Sequence, residues 1–144
     1  MIPRLVLDTS VVLKWVRQEE ILADRALGLL QGYLDGRSEI SVPALLAYEF
    51  ANVLRYKAQL TTVQVETAIQ ALFDLELEWI APSPSMMRRA VVVARQYDTT
   101  VYDSTFAALA EGIGATFVTA DERLAHHLKA LPWVAFLGDV EVPA

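Results

Sequence analysis

Apolar and polar residues alternate along this chain in two distinct patterns. Short apolar runs, typical of buried strands, occupy residues 4–7, 40–42, 77–80, 116–119 and 133–136. Between them, apolar residues recur at the three- and four-residue spacing of a helical face. That spacing predicts helices over residues 11–16, 22–34, 61–73, 85–97 and 102–113, one that opens at Pro43, and one that buries Leu124, Leu128 and Leu131. Strands that alternate with helices favour a mainly parallel sheet covered on both faces, a three-layer α/β/α domain.

Two aspartates follow directly after predicted strands. Asp8 comes after the first apolar run, and Asp121 comes after the fourth. Open α/β sheets place their sites outside the carboxyl ends of the strands, at the point where the strand order reverses. If the order reverses between the first and fourth strands, Asp8 and Asp121 meet at that point.

Two further acids lie on predicted helices. Glu49 falls on an apolar helical face between Leu46 and Val53, and Asp103 lies at the edge of a face whose first buried residue is predicted to be Tyr102. Charged residues on apolar faces conflict with the local pattern, and such conflicts are typical of functional sites. Four crowded carboxylates repel one another unless cations lie between them, and their oxygens suit Mg²⁺ or Mn²⁺.

Three of these acids also have a structural explanation. Asp8 could simply cap the helix that follows it, since aspartate is a preferred cap. Thr100 and Asp103 fit a T-x-x-D capping box, which would explain Asp103 without a ligand. Glu49 could extend its carboxylate to solvent or pair with an arginine.

Asp121 has the weaker capping explanation, because Thr119 and Glu122 already fit a T-x-x-E box. Hydroxyl groups stand next to the acids at Thr9, Ser10 and Thr119. Such hydroxyls can bond a carboxylate, a metal-bound water or a phosphate, or they can cap helices.

Other polar residues give weaker signals. His126 and His127 are adjacent and therefore face different directions on a helix, so we expect surface or packing roles. Trp15 is either a core residue or a platform for stacking a base. The candidates for phosphate contacts, which are equally typical of a solvated surface, are Lys14, Arg17, Arg55 and Lys57.

Composition narrows the possible chemistry. The 144 residues, 16.0 kDa in all, suit a single domain spanning residues 1–144. The absence of cysteine excludes disulfides and thiolate metal sites, so any metal would be bound by oxygen. A net charge of −6 argues against general affinity for nucleic acids, although an acidic metal site would supply part of it. No apolar run reaches the roughly 18 residues of a membrane span, so we expect a soluble, cytoplasmic protein.

Four motifs together resemble the PIN-domain family, especially the VapC-like toxins of toxin–antitoxin pairs. They are LDTSVVLKWV at residues 7–16, PALLAYEFANVL at 43–54, YDSTFAALAEGIGA at 102–115 and FVTADERL at 117–124. By this resemblance, the acidic metal site is formed by Asp8, Glu49, Asp103 and Asp121, with Thr9, Ser10 and Thr119 as accessory residues. Many members carry Asn where this chain has Ser10, which would alter one hydrogen bond.

The resemblance also implies a fold and a function. The expected sheet order is 3-2-1-4-5, and the expected activity is Mg²⁺-dependent or Mn²⁺-dependent cleavage of single-stranded RNA by metal-activated water. The expected partners are a second copy of the chain, in a homodimer, and a cognate antitoxin. Helices within residues 22–34 and 44–73 would supply the groove for the antitoxin.

Three alternatives remain at the level of sequence. One is a housekeeping RNA-processing PIN nuclease, and another is a PIN-like binding module without catalysis. The third is a phosphoryl-transfer domain that also places Asp after its first strand. The sequence disfavours both forms of this third alternative. A haloacid-dehalogenase-type phosphatase would need a second Asp where Ser10 stands. A response-regulator receiver would need a Lys after the last strand, and residues 133–139 contain none.

Overall fold

The computed structural model describes residues 2–141, and within them it contains five strands and seven α-helices. The strands are β1 (Arg4–Leu7), β2 (Glu39–Pro43), β3 (Glu78–Ile80), β4 (Thr116–Thr119) and β5 (Val134–Phe136). The helices are α1 (Thr9–Val12), α2 (Ala23–Leu34), α3 (Leu45–Arg55), α4 (Thr62–Asp74), α5 (Pro84–Tyr97), α6 (Val101–Ile113) and α7 (Glu122–His127). Two 3₁₀ segments, Leu13–Trp15 and Leu137–Asp139, follow α1 and β5.

The strands form one sheet in the order β3-β2-β1-β4-β5, and every neighbouring pair is parallel. This confirms the predicted order 3-2-1-4-5. In the centre of the sheet, Leu5 is paired with Ile40 on one side and with Thr116 on the other. The strand order therefore reverses between the neighbouring strands β1 and β4, whose carboxyl ends lie side by side.

Helices cover both faces of this sheet, as predicted for a three-layer domain. The connections from β1 to β3 carry α1 to α4, which pack together on one face, whereas α5 and α6 pack against each other and α6 lies across β1, β2 and β4. Right-handed crossovers require this division, because the chain moves across the sheet in opposite directions before and after β3. The side chain of His127 ties α7 to the end of α5 through Tyr97 O, at 3.0 Å.

Large apolar side chains fill the spaces between the layers. Phe106 of α6 and Phe117 of β4 are both almost fully buried, and their rings stack with centroids 5.9 Å apart. On the other face, the buried Trp15 donates its indole N–H to Ala26 O at 2.8 Å. Trp15 is therefore a core residue and not a platform for a base.

Two expectations about single residues were wrong. Pro43 ends β2, where it is paired with Ile80, and the next helix begins only at Leu45. The strand continues through Pro43 because the hydrogen bond to Ile80 O comes from the following residue, Ala44, at 2.9 Å. Tyr102 is 64% exposed and not buried, because the first turn of α6 borders a surface groove.

Some helix boundaries also differ from the prediction. The helix predicted over residues 11–16 begins earlier, at Thr9, and tightens into the 3₁₀ segment after Val12. Helix α7 ends at His127, although Leu128 and Leu131 remain buried as predicted. Within residues 2–141, no helix combines the length and the apolar character that crossing a bilayer requires.

Candidate active site

The carboxylate of Asp8 occupies the carboxyl end of the central strand β1. Only 6% of the residue is exposed. Its Oδ1 accepts hydrogen bonds from Ser10 Oγ at 2.5 Å and from the backbone N–H of Val11 at 3.3 Å, while Oδ2 accepts one from Thr119 Oγ1 at 2.6 Å. Asp8 is thus the N-cap of α1, as the structural explanation predicted, and both of its oxygens are fixed in position.

Two hydroxyl groups join the end of β1 to the end of β4. Thr119 Oγ1, fully buried, donates to Asp8 and accepts from the backbone N–H of Asp121 at 3.0 Å. Ser10 Oγ likewise donates to Asp8 and accepts from the backbone N–H of Ala120 at 2.9 Å. Both predicted accessory hydroxyls therefore hold the two strand ends, and the loop after β4, around the Asp8 carboxylate.

The third accessory hydroxyl orients Glu49. Thr9 Oγ1, on the first residue of α1, donates to Glu49 Oε1 of α3 at 2.7 Å. Glu49 is partly buried and, within residues 2–141, its side chain forms no ion pair with an arginine or lysine. Pairing with an arginine therefore does not explain this acid on an apolar face.

The remaining two acids lie at helix starts. Asp103 is in the first turn of α6, where its backbone N–H donates to Thr100 Oγ1 at 3.0 Å, and its own carboxylate is half-buried. Asp121, an exposed residue, accepts from the backbone N–H of Leu124 at 3.0 Å. The expectation that Thr119 caps α7 was wrong: Asp121 is its N-cap, because the hydroxyl of Thr119 is already committed to Asp8.

Burial and mutual repulsion raise the pKa of three of the acids. Burial raises the pKa of Asp8 from its ordinary value of 3.8 to about 6, in spite of its hydrogen bonds, and the charge of Asp103 adds to this rise. Burial, followed by the charge of Asp103, also raises the pKa of Glu49. Burial and then the charge of Asp121 raise the pKa of Asp103. Asp103 thus interacts electrostatically with Asp8, Glu49 and Asp121.

The chemistry of these side chains fits a hard divalent cation. All four are oxygen donors, and three of them lose hydration and repel one another, which a bound cation would offset. Over residues 2–141, however, no three His, Cys, Asp or Glu side chains lie close enough together to enclose an ion. The four acids therefore offer oxygen donors near the carboxyl end of the sheet without enclosing an ion.

Three of the four cationic candidates have other partners. Lys14 Nζ pairs with Glu20 at 3.2 Å, and Arg17 Nε pairs with Glu19 at 2.6 Å. The guanidinium of Arg55 lies over the ring of Tyr56, 4.5 Å from its centroid. A cleft beside the acids is lined instead by Arg123 and His127. Arg123 was not among the predicted candidates, and His127 was predicted to have a surface or packing role. Their proximity comes from the fold, since no local pattern links them to Asp103.

The five-stranded parallel sheet and the acids near the carboxyl ends of its central strands define a PIN domain. Residues 5–129 match the model of the PIN domain family, and the chain belongs to that family. Ribonuclease VapC3 of Pyrobaculum aerophilum is 30% identical over 137 residues, which cover 89% of this chain and 97% of that protein. The phosphatase and receiver interpretations lose their support.

The fold is similar to those of solved VapBC and VapC structures. VapBC2 from Rickettsia felis, solved with a DNA fragment from its promoter, matches with a TM-score of 0.69 and 15% identity over 92% of this chain and 96% of that chain. VapC20 from Mycobacterium tuberculosis, described as a Sarcin–Ricin loop cleaving toxin, matches with a TM-score of 0.65 and 11% identity over 85% and 93%. At such identities the likeness concerns the fold.

Proposed function

We propose that this chain is a divalent-metal-dependent endoribonuclease and the toxin of a toxin–antitoxin pair. The observation that carries the proposal is the set of Asp8, Glu49 and Asp103, whose carboxylates are desolvated and mutually repelling without a cationic partner among residues 2–141. Structural acids that are buried are usually paired with a base. Unpaired acids gathered near the carboxyl ends of the central strands suit a metal-dependent nuclease.

Asp8, Glu49, Asp103 and Asp121 are the residues that would hold Mg²⁺ or Mn²⁺. When bound, such an ion supplies Lewis-acid activation of a water molecule and neutralises charge that develops on the scissile phosphate. Neighbouring hydroxyl side chains orient these carboxylates. Thr119 and Ser10 fix both oxygens of Asp8, and Thr9 fixes one oxygen of Glu49.

These hydroxyls act through the acids. Because they donate to ionised carboxylates, they favour the charged forms of Asp8 and Glu49, which are the forms that can bind a cation. Asp8, with its pKa of about 6, is mostly ionised at neutral pH even without metal. We infer that metal binding weakens as the pH drops through this value, because protons then compete with the cation for the Asp8 carboxylate.

The relative named Ribonuclease VapC3 supports the toxin over a housekeeping nuclease, because it matches along nearly its whole length. We also propose that residues 1–144 act as one domain and that the chain works in the cytoplasm, where its RNA substrate would be. A short antitoxin gene next to the gene for this chain would separate the toxin from the housekeeping role.

We expect the purified chain to cleave single-stranded RNA in Mg²⁺ or Mn²⁺ and to lose this activity when a chelator is added. The measurement is gel analysis of a mixed RNA pool incubated with and without each metal. Asp8→Asn controls for contaminating nucleases, and Glu66→Gln, an equivalent change on the exposed side of α4, should cleave normally. Cleavage that persists in chelator, or that is equal in Asp8→Asn, would contradict the proposal.

A groove between the helices of one face suits the antitoxin. It has a volume of about 160 Å³ and lies between the 3₁₀ segment after α1 and helices α2, α3 and α4; its apolar lining includes Val12, Trp15, Val16, Leu30, Phe50 and Leu72. Apolar side chains of a helical or extended antitoxin segment could insert there. This is the region that the sequence resemblance implied, within residues 22–34 and 44–73.

A second apolar groove suits another copy of the chain. It measures about 340 Å³, lies between α3, α5 and the start of α6, and is bordered by Tyr48 and Tyr102, which are 75% and 64% exposed. Large exposed aromatic side chains beside an apolar groove are typical of protein–protein contacts. We propose this surface as the homodimer interface.

Tyr102→Glu should therefore convert the chain from a dimer to a monomer, because it places a charge in an apolar contact. Size-exclusion chromatography with light scattering measures the change. Val63→Glu, at a position 70% exposed on α4, introduces the same charge elsewhere and should leave the dimer intact. A wild-type chain that is already monomeric would refute the interface.

A further inference from the structure

A cleft extends from Asp103 and Asp121 towards α7. It has a volume of about 440 Å³ and lies between the end of α5, the start of α6 and α7. Besides Asp103 and Asp121, it is lined by Asp98, Thr99, Thr100, Arg123, Leu124 and His127. The cleft thus begins at two of the proposed metal ligands and continues over residues that have no part in holding the metal.

Arg123 is the unusual member of this lining. It shares the cleft with three carboxylates, yet it forms no ion pair or hydrogen bond within residues 2–141. By contrast, Arg89 binds both carboxylate oxygens of Glu111, at 2.6 and 3.3 Å. The planar guanidinium of Arg123 therefore keeps all its donors available for a ligand, and it is suited to a phosphate.

His127 forms a fixed wall on the same side. Its Nδ1 lies 3.0 Å from Tyr97 O, and a carbonyl oxygen only accepts, so Nδ1 carries a proton. Within residues 2–141 its Nε2 has no hydrogen-bond partner. The ring is thus held by one nitrogen while the other stays available at the cleft.

We propose that this cleft is a subsite for a backbone phosphate next to the scissile one in single-stranded RNA, and that Arg123 binds that phosphate. The inference rests on the proposed function. RNA phosphates are repelled by the acids and by the net charge of −6, and a cation beside the metal site offsets this repulsion where the strand must pass. Arg123 is a binding residue in this scheme and not a catalytic one.

Asp98 offers a change of the opposite sign in the same cleft. It ends α5 in the left-handed conformation, with φ 54° and ψ 53°. Asparagine adopts this conformation as readily as aspartate, so Asp98→Asn removes a charge without straining the backbone. RNA affinity should therefore rise in Asp98→Asn and fall in Arg123→Gln.

The test is a fluorescence anisotropy titration of labelled single-stranded RNA with the full chain. Ca²⁺ replaces Mg²⁺, after a gel has shown that the RNA stays intact. We expect Arg123→Gln to weaken binding roughly fivefold to tenfold and Arg123→Lys to weaken it less. The slope of log affinity against log salt should fall by about 0.7 in Arg123→Gln, the loss of one contact to a single strand.

Two variants control for overall charge. Arg88→Gln makes the same change at an exposed site on α5 outside the cleft, and Glu66→Gln matches the change in Asp98→Asn. Both should bind RNA like the wild type. In cleavage assays, Arg123→Gln should raise KM while kcat stays within about twofold, because the lost contact holds the substrate before and during the reaction alike.

The outcomes separate this subsite from the proposed function. Equal binding by Arg123→Gln and Arg88→Gln would overturn the subsite even if the chain cleaves RNA. Failure of the wild-type chain to bind RNA would overturn it as well. Binding that depends on Arg123, in a chain that no metal makes active, would uphold phosphate binding by Arg123 and refute the nuclease.

Discussion

Asp8→Asn is expected to lower RNA cleavage by roughly 10³-fold or more and, at the same time, to stabilise the metal-free chain at neutral pH. The loss of activity follows from removing the most buried charged donor of the proposed site. The gain in stability follows from removing a buried charge. Asparagine is as good a helix cap as aspartate, so the hydrogen bond from Val11 can persist.

The sign of the stability effect follows from the pKa of Asp8. The pKa is about 6 in the folded chain and 3.8 ordinarily, so between these values the folded state binds more protons than the unfolded state. The unfolding free energy of the wild type therefore falls as the pH rises through this window, by about 2–3 kcal/mol for a shift of this size. Above about pH 6 to 7 the folded state bears the full free-energy cost of burying the ionised Asp8 carboxylate, and Asp8→Asn avoids this cost.

Chemical denaturation in chelator at pH 4.5 and pH 8 measures this difference. The advantage of Asp8→Asn over the wild type should grow with pH. In parallel measurements with Mn²⁺ and no chelator, the ion should stabilise the wild type far more than the variant. Glu66→Gln, on an exposed surface, should show neither effect. An advantage that is the same at both pH values would mean that Asp8 is not a buried charge with a raised pKa.

Thr119→Val is expected to act in the opposite direction on stability. Valine fills nearly the same space but removes the hydroxyl that donates to Asp8 Oδ2 and accepts from the backbone N–H of Asp121. A buried carboxylate oxygen and an N–H then lack partners, which should cost about 2 kcal/mol of unfolding free energy. Cleavage should fall by roughly 10-fold to 100-fold, as for other residues that orient metal ligands.

A matched control and a double mutant make this test specific. Thr67→Val removes a hydroxyl that bonds Val63 O on the exposed face of α4, at 2.9 Å, and should leave cleavage unchanged. In an Asp8→Asn background, Thr119→Val should cost less stability than in the wild type, because no charge is left without its donor. Equal costs in both backgrounds would show that the hydroxyl does not act on Asp8.

Much of this fold could be predicted from the sequence because its elements have unambiguous local patterns. The runs that end at Leu7 and Thr119 have the length and apolar character of buried strands, and an acid follows each closely. Periodicity could not give the strand order, which came from the resemblance. Glu49 stood out because its charge contradicts the helical face around it.

Other features depended on contacts that no local pattern contains. Thr119 fits the capping box of α7, but it lies across from Asp8, whose carboxylate takes its hydroxyl and leaves the cap to Asp121. Tyr102 has the spacing of a buried residue, but it lies on a turn that faces a groove. Arg123 showed no pattern at all, since only the packing of α7 beside α5 and α6 brings it to the acids.

Asp8 and Asp121 each serve a helix as well as the proposed metal site. The carboxylate of Asp8 holds the first turn of α1, and that of Asp121 holds the first turn of α7. Alanine at either position deletes a cap together with a ligand, so a chain that such a change inactivates has lost local folding free energy as well as charge. At these two positions, alanine removes the cap and the ligand together, whereas asparagine removes the charge and keeps the cap.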